Sequence, residues 1–273
     1  MAQAERKARG RPKSPFTDTG SQTMQSLDRA LGVLNALARL ERASLTDLSL
    51  ALGIPTATTH RILTTLQKHR FTELDEATQD WMVGIEAYRT GASFLKRMNL
   101  ADISRPVMRA LMQATGETAN LAIRDGAEVV FIGQIETPNP IRAFFNPGTR
   151  TPMHASGTGK AILATLPEDR LRALIQSSGL PAFTDSTLST PAALFADLEQ
   201  TRARGWSFDQ EERHIGMSCI GAAIFDAQGQ AVGGVSISGP SARFDARSSL
   251  DYGRQVAEAA AEITRALGGR APA

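Results

Sequence analysis

Between His154 and Ala161 the chain reads HASGTGKA, a run of small residues and glycines closed by a lysine and followed by the apolar ILATL. A nucleotide-binding P-loop needs GxxxxGK followed by Ser or Thr, because the glycine-rich backbone wraps the phosphates while the hydroxyl holds magnesium. Here His154 stands five positions before Gly159 and Ala161 follows Lys160, so both requirements fail. What remains is a helix start. Free N–H groups at Ser156, Gly157 and Thr158 suit a carboxylate-sized anion, and they equally suit an ordinary Ser-capped helix with glycines for close packing. Lys160 is expected on the polar face of that helix.

Asp209, His214 and Cys219 could form a Cys-His-Asp hydrolase, which requires an activated thiolate and a positioned base. Cys219 opens the apolar run CIGAAIF, however, where a lone cysteine reads as a small buried hydrophobe. His154 and His214 read as hydrogen-bonded loop residues, and Asp209, Glu211 and Glu212 as a solvated acidic loop. Ser236 and Ser238 lie at i and i+2 of a strand and point to one face, either as routine strand serines or as two hydroxyls serving one site. With a single cysteine there is no internal disulfide, and no Cys/His spacing suggests a zinc site. No metal and no cofactor are expected.

The elements that must position these residues fall into two halves. From Met24, apolar residues recur at three- and four-residue steps (Leu27, Ala30, Leu31, Leu34, Leu37, Ala38), which predicts a helix over 25–39. Ser44, with Asp47 three residues on, caps a second helix ending at Gly53, and Pro55 opens a third that runs to about His69. Two short helices around a Gly-containing turn make a helix-turn-helix. Thr56, Thr58, Thr59, His60 and Arg61, at the start of the third helix, suit base edges and phosphates. The runs 71–74 and 80–83 flank a polar turn and predict a hairpin wing.

A linking helix follows over 85–98 and another over 103–114, closed by Gly116. The period then changes. Strands are expected at 119–123, 128–134 and 142–145, with an Asp125-Gly126 hairpin turn, and later at 219–226 and 231–238. Helices are expected from the HASG stretch, over 191–204 and over 250–267. This half reads as an α+β domain with antiparallel strands.

The 273 residues are 42% hydrophobic and 21% charged, as in a folded globular chain, and 30 basic against 28 acidic residues leave a net charge of only +2. Charge distribution says more than the sum. RKARGRPK, residues 6–13, carries five basic residues and no acid and is expected to be a disordered arm. Within it Arg9-Gly10-Arg11-Pro12 resembles the RGRP core of AT-hooks, which lies in the narrow minor groove of A/T-rich DNA. No run is apolar enough to span a bilayer and no secretory leader is visible, so the cytoplasm is expected and no membrane partner.

Taken together these stretches resemble the IclR family of bacterial transcription regulators, from Met24 to Leu267. QSLDRALGVLNALA, SLTDLSLALGIPTATTHRILTTLQKHRF and the hairpin through WMVG look like that family's winged helix. RTPMHASGTGKAILA and GWSFDQEERHIGMSCIGAAIFDAQGQAVGGVSISGP match its effector-domain signature in order and spacing. The resemblance implies an α+β chain with a winged helix-turn-helix domain, a linker helix and a GAF-like effector-binding domain, assembled as a homodimer or homotetramer on palindromic operator DNA. By motif, a glyoxylate-type carboxylate effector would meet Gly157, Thr158, Asp209, Cys219, Ser236 and Ser238, with Met217 at an apolar wall. Thr158 stands where the most similar relatives tend to have alanine, and Ser218 where they tend to have arginine.

The expected domains are a basic arm over 1–22, the winged helix over 23–84, the linker over 85–100 and the effector domain over 101–270. The function expected is a non-enzymatic DNA-binding transcriptional regulator, repressor or activator, controlled by glyoxylate or a similar 2-oxo acid. The alternatives are a small-molecule hydrolase using Cys219 and a ligand sensor without DNA binding.

Overall fold

The computed structural model describes residues 24–272. The arm, with Arg9 and Arg11, lies outside the described residues. The chain divides between Phe94 and Leu95 into two compact units.

In the first unit α1 (Gln25–Leu40), α2 (Leu45–Leu52) and α3 (Thr56–Lys68) pack around Val33, Leu37, Leu48, Leu63 and Trp81. The Ser44 side chain accepts the Asp47 amide at the start of α2, and Gly53 ends it in the left-handed region at φ 60°. A residue with a Cβ is disfavoured at that φ, so glycine sets the turn between the two helices. Strands β1 (Ala43–Ser44), β2 (Thr72–Leu74) and β3 (Asp80–Val83) form an antiparallel sheet in the order β1-β3-β2. The expected hairpin is present, with β1 as an additional edge that two residues are too few to signal. Helix α4 (Ile85–Met98) follows.

The second unit is built on a six-stranded antiparallel sheet. Helix α5 (Leu100–Thr115) leads into β4 (Thr118–Asp125) and β5 (Glu128–Ile135), joined through Gly126 at φ 64°. After β6 (Arg150–Pro152) come α6 (Gly157–Leu163), α7 (Glu168–Ser178) and α8 (Pro191–Arg204), then β7 (Ser207–Gln210), β8 (Met217–Phe225), β9 (Ala231–Pro240) and α9 (Ala246–Ala266). The strand order is β6-β5-β4-β9-β8-β7. One face packs Leu121, Ile220, Val235 and Ile237 against Met108 and Leu111 of α5 and Val256 and Ile263 of α9. The other packs Phe131 and Val129 against Ile162, Leu171, Leu194 and Leu198 of the three middle helices.

Residues 142–145 are not a strand. The edge of β5 that would receive them is occupied by 148–152, through the β6 pairing and the Phe131–Thr149 and Gly148–Phe131 hydrogen bonds. Phe145 instead stacks on Phe131 at 4.8 Å between ring centroids.

Every residue of α6 is buried, because the helix lies backbone to backbone on β8. A Cβ on Gly221 would come within 2.5 Å of the Gly157 carbonyl carbon and the Thr158 nitrogen. A Cβ on Gly157 would lie 2.7 Å from the Cys219 sulfur. Neither backbone can retreat, since Ser207 donates to the carbonyls of both Gly157 and Gly221. We expect Gly221→Ala to lower the unfolding free energy of this unit by about 3 kcal/mol, read by urea titration of Trp206 fluorescence. A change below about 0.5 kcal/mol contradicts this close approach.

Candidate ligand cavity and nucleic-acid interface

Where β8, β7 and the start of α6 meet β5, a cavity with about 360 Å³ of free space, part of it open to solvent, is lined by Ser156, Asp209, Arg213, Met217, Cys219 and Ser238 among others. Phe131, Phe145 and Met217 supply its apolar wall. Register explains the convergence: Asp209 of β7 sits opposite Cys219 of β8, and Cys219 opposite Ser238 of β9, so three successive strands bring one row to one place.

Of the residues expected from sequence, Asp209, Met217, Cys219 and Ser238 line the cavity. Gly157, Thr158 and Ser236 do not. They lie just behind it; a Cβ on Gly157 would lie 2.7 Å from the Cys219 sulfur, and Ser236 stands near the same thiol. Ser236 and Thr158 are fully buried, and neither hydroxyl has a hydrogen-bond partner. The Thr158 methyl is pressed toward Gly234, which explains why only glycine fits there. Ser238 accepts a hydrogen bond from Asn120 at 3.2 Å, and Asn120 in turn accepts from Gln134 at 3.0 Å. That relay leaves the Ser238 proton free to be donated. Sequence reading missed Asn120, Gln134 and Thr151, whose roles depend on strand pairing at long range, and Arg213, which is placed by its stacking on Phe183.

The expected solvated acidic loop is also corrected. Asp209 and Glu212 are buried, and the Glu212 amide donates to the Asp209 carboxylate at 2.9 Å. Lys160, expected on a polar face, is fully buried. Its ammonium donates to the Phe208 carbonyl and the Glu212 carboxylate and lies 3.1 Å from Asp197. Two carboxylates thus pair with one buried cation, and Asp209 feels the same charge through space. Burial pushes Asp209 up to about 6 against the pull of Lys160 and the Glu212 amide. Burial raises Glu212 as well, and the Asp209 charge adds to it.

Burial and the neighbouring Asp209 charge push the Cys219 thiol up to about 11. A thiol held neutral is a poor nucleophile, which argues against the hydrolase alternative. His214 is largely exposed, with its protonated form disfavoured by partial desolvation of the ring and by Arg213. His154, buried in a short 3-10 turn, hydrogen-bonds the Pro181 carbonyl at 3.0 Å and stacks on Phe183. Arg213 covers the same ring at 3.9 Å, which fixes a guanidinium at the cavity. Among the described residues no cluster of three or more His, Cys, Asp or Glu could hold a metal, and no helix is long and apolar enough to cross a membrane.

In the first unit α3 exposes Thr56, His60 and Arg61, with Thr58 half-buried. Thr59 is corrected: it is fully buried, its hydroxyl directed at the Ile54 and Pro55 carbonyls, so it cannot reach a base. Its helical phase places it beside Leu63 in the core. Thr64 and Lys68 continue the exposed stripe from His60 and Arg61 at three- and four-residue steps and belong to the same face.

Residues 26–76 match the family model described as "IclR helix-turn-helix domain", and residues 92–265 match "Bacterial transcriptional regulator IclR C-terminal". The chain is 45% identical over 260 residues to the HTH-type transcriptional regulator BhcR of Paracoccus denitrificans, covering 94% of this chain and 93% of that protein. It is 40% identical over 264 residues to the transcriptional repressor IclR of Escherichia coli, covering 96% of each. The crystal structure of the Thermotoga maritima IclR superposes with a TM-score of 0.74 at 30% identity, covering 90% of this chain and all of that one. The two-unit fold, the helix-turn-helix and matches along nearly the whole chain agree: this protein belongs to the IclR family of bacterial transcriptional regulators, and it is a DNA-binding regulator and not an enzyme.

Proposed function

We propose that this regulator binds operator DNA through the exposed stripe of α3 and is controlled by a small carboxylate, glyoxylate or a similar 2-oxo acid, held in the cavity beside Asp209. The observation that carries the effector reading is the cavity lining. Arg213 supplies a fixed positive charge, and Ser238 supplies a donor primed by Asn120. Asp209 sits there with an affinity for protons unusual for an aspartate. A compact space with an apolar wall and a few convergent polar groups suits a small anion with a second polar function. The resemblance to glyoxylate-sensing relatives points the same way.

On DNA, Thr56, Thr58, His60 and Arg61 face the major groove, joined by Thr64 and Lys68. The hairpin of β2 and β3 meets the backbone, and Arg9 and Arg11 reach the minor groove. The chain acts as a homodimer or homotetramer. Its exposed apolar side chains on α1 (Leu27, Leu31) and α4 (Ile85, Tyr88) offer surface for a second copy. The effector switches transcription by binding one arrangement of the assembly better than another.

Arg61→Ala is expected to weaken binding to the chain's own promoter DNA by about tenfold or more and to flatten its salt dependence, measured by fluorescence anisotropy at several salt concentrations. Unchanged specific affinity removes α3 from the interface. Deleting residues 1–13 should weaken binding most on operators with A/T flanks, and equal affinity on all flanks leaves the arm without a role on DNA.

For the effector, an anion placed beside Asp209 raises that group's proton affinity further, so binding takes up a proton. Glyoxylate affinity should therefore fall as the pH rises from about 5.5 to about 8, and Asp209→Asn should flatten that fall. Calorimetry across this range checks both. Heats that are absent in the parent, or the same pH dependence in the variant, remove Asp209 and the 2-oxo acid from the cavity.

A further inference from the structure

Strand β7 pairs only with the stretch of β8 from Ser218 to Gly221, so β8 runs on to Phe225 with no outer neighbour among the described residues. The Ala222 carbonyl faces β9, since a Cβ on Gly234 would come within 2.8 Å of it. Alternation along a strand then points the N–H and C=O of Ala223 out of the sheet at this open edge. The edge ends there, because the next outward amide, that of Phe225, is taken by the Thr264 hydroxyl at 3.1 Å.

This edge forms the floor of a groove between the end of α6, the end of α8 and α9, with about 1660 Å³ of free space including its mouth. Its walls are small and apolar: Ala161 and Ala164 on one side, Ala257, Ala260 and Ala261 on the other, with Phe225 at one end. Thr201 also lines it, buried and with its hydroxyl unpartnered. Three guanidiniums belong to the groove: Arg202, Arg265 and Arg270. Arg202 gives its Nε to the Ala164 carbonyl, and among the described residues none of the three forms an ion pair.

We propose that this groove is a second ligand site, separate from the Asp209 cavity, for an organic anion with an apolar body, such as a medium-chain or aromatic carboxylate. The alanine walls accept a chain or ring too wide for a helix contact between larger residues. The three arginines select negative charge, and Ala223 and Thr201 supply polar anchors within the floor. A peptide strand added to β8 does not fit as well. Pairing of that kind needs a run of free edge groups, and here a single residue's pair is available before Thr264 closes the edge. The proposal stands independently of which effector the Asp209 cavity takes.

The test is calorimetry of the full-length protein with octanoate and with octylammonium, on the parent and on Asp209→Ala, Ala261→Trp and Arg265→Gln/Arg270→Gln. Ala261 is exposed on α9, so the indole fills the groove mouth without entering the core. Circular dichroism confirms that the variant folds. Octanoate should bind saturably to the parent and equally to Asp209→Ala. Its affinity should fall about tenfold or more in Ala261→Trp and about three- to tenfold in the arginine variant, and octylammonium should bind at least about tenfold more weakly. Absence of saturable octanoate binding, full binding in Ala261→Trp, loss of binding in Asp209→Ala, or equal binding of the two octyl probes overturns the proposal.

Discussion

The effector unit depends on one close contact, the seating of α6 on β8. Gly157 and Gly221 let two backbones meet where any side chain would force them apart. That approach buries the whole of α6, including a lysine. An unmatched ammonium in such a place costs several kcal/mol, so the fold is viable only because Lys160 finds partners from three directions. Phe208 comes from β7, Glu212 from the loop after it and Asp197 from α8. The same cation therefore fixes the helix, the edge strand and the outer helix relative to one another.

The electrostatics of the cavity follow from this arrangement. One buried cation cannot balance three carboxylates, and an uncompensated buried charge is relieved most readily by taking up a proton. Asp209 is the member of the group that faces the cavity, and its proton affinity is shifted to about 6. A carboxylate of the kind proposed as effector would meet there a neighbour able to donate a hydrogen bond instead of repelling it. The Cys219 thiol experiences the same surroundings and is likewise held neutral, as a weakly polar wall. One desolvated cluster accounts both for the cavity's fitness for an anion and for its unfitness as a hydrolase.

Much of the fold was legible because its signals are local. The Ser44 cap and Gly53 mark the ends of α2, the three- and four-residue apolar step locates α1 and α3, Asp125-Gly126 marks a hairpin, and α8 has the expected bounds of 191–204. The short strands β1, β6 and β7 were not, since two to four residues carry no periodicity and these lack the flanking polar turn that marks the equally short β2 and β3. Thr59 was misplaced because a polar residue at a helix start reads as exposed until the helix has a known phase. Lys160 and Glu212 were misread for a different reason. They are 52 residues apart, and charge in each local window argues for solvent; only the folded topology makes each the reason the other can be buried. Within the cavity, motif position located Asp209, Cys219 and Ser238, while the Asn120 and Gln134 relay exists only through strand register.

Helix α6 also links the two ends of the unit. Its seven residues span about 10 Å, with Ser156 at its start lining the Asp209 cavity and Ala161 and Ala164 at its end lining the alanine groove. Packed on every side, α6 has little room to flex within itself, so its two ends belong to one rigid element. If ligands occupy both proposed places, any coupling carried by α6 is reciprocal, changing each affinity by the same factor. The glycine contact that seats α6 so tightly thus sets one rigid element between the cavity and the open edge of β8.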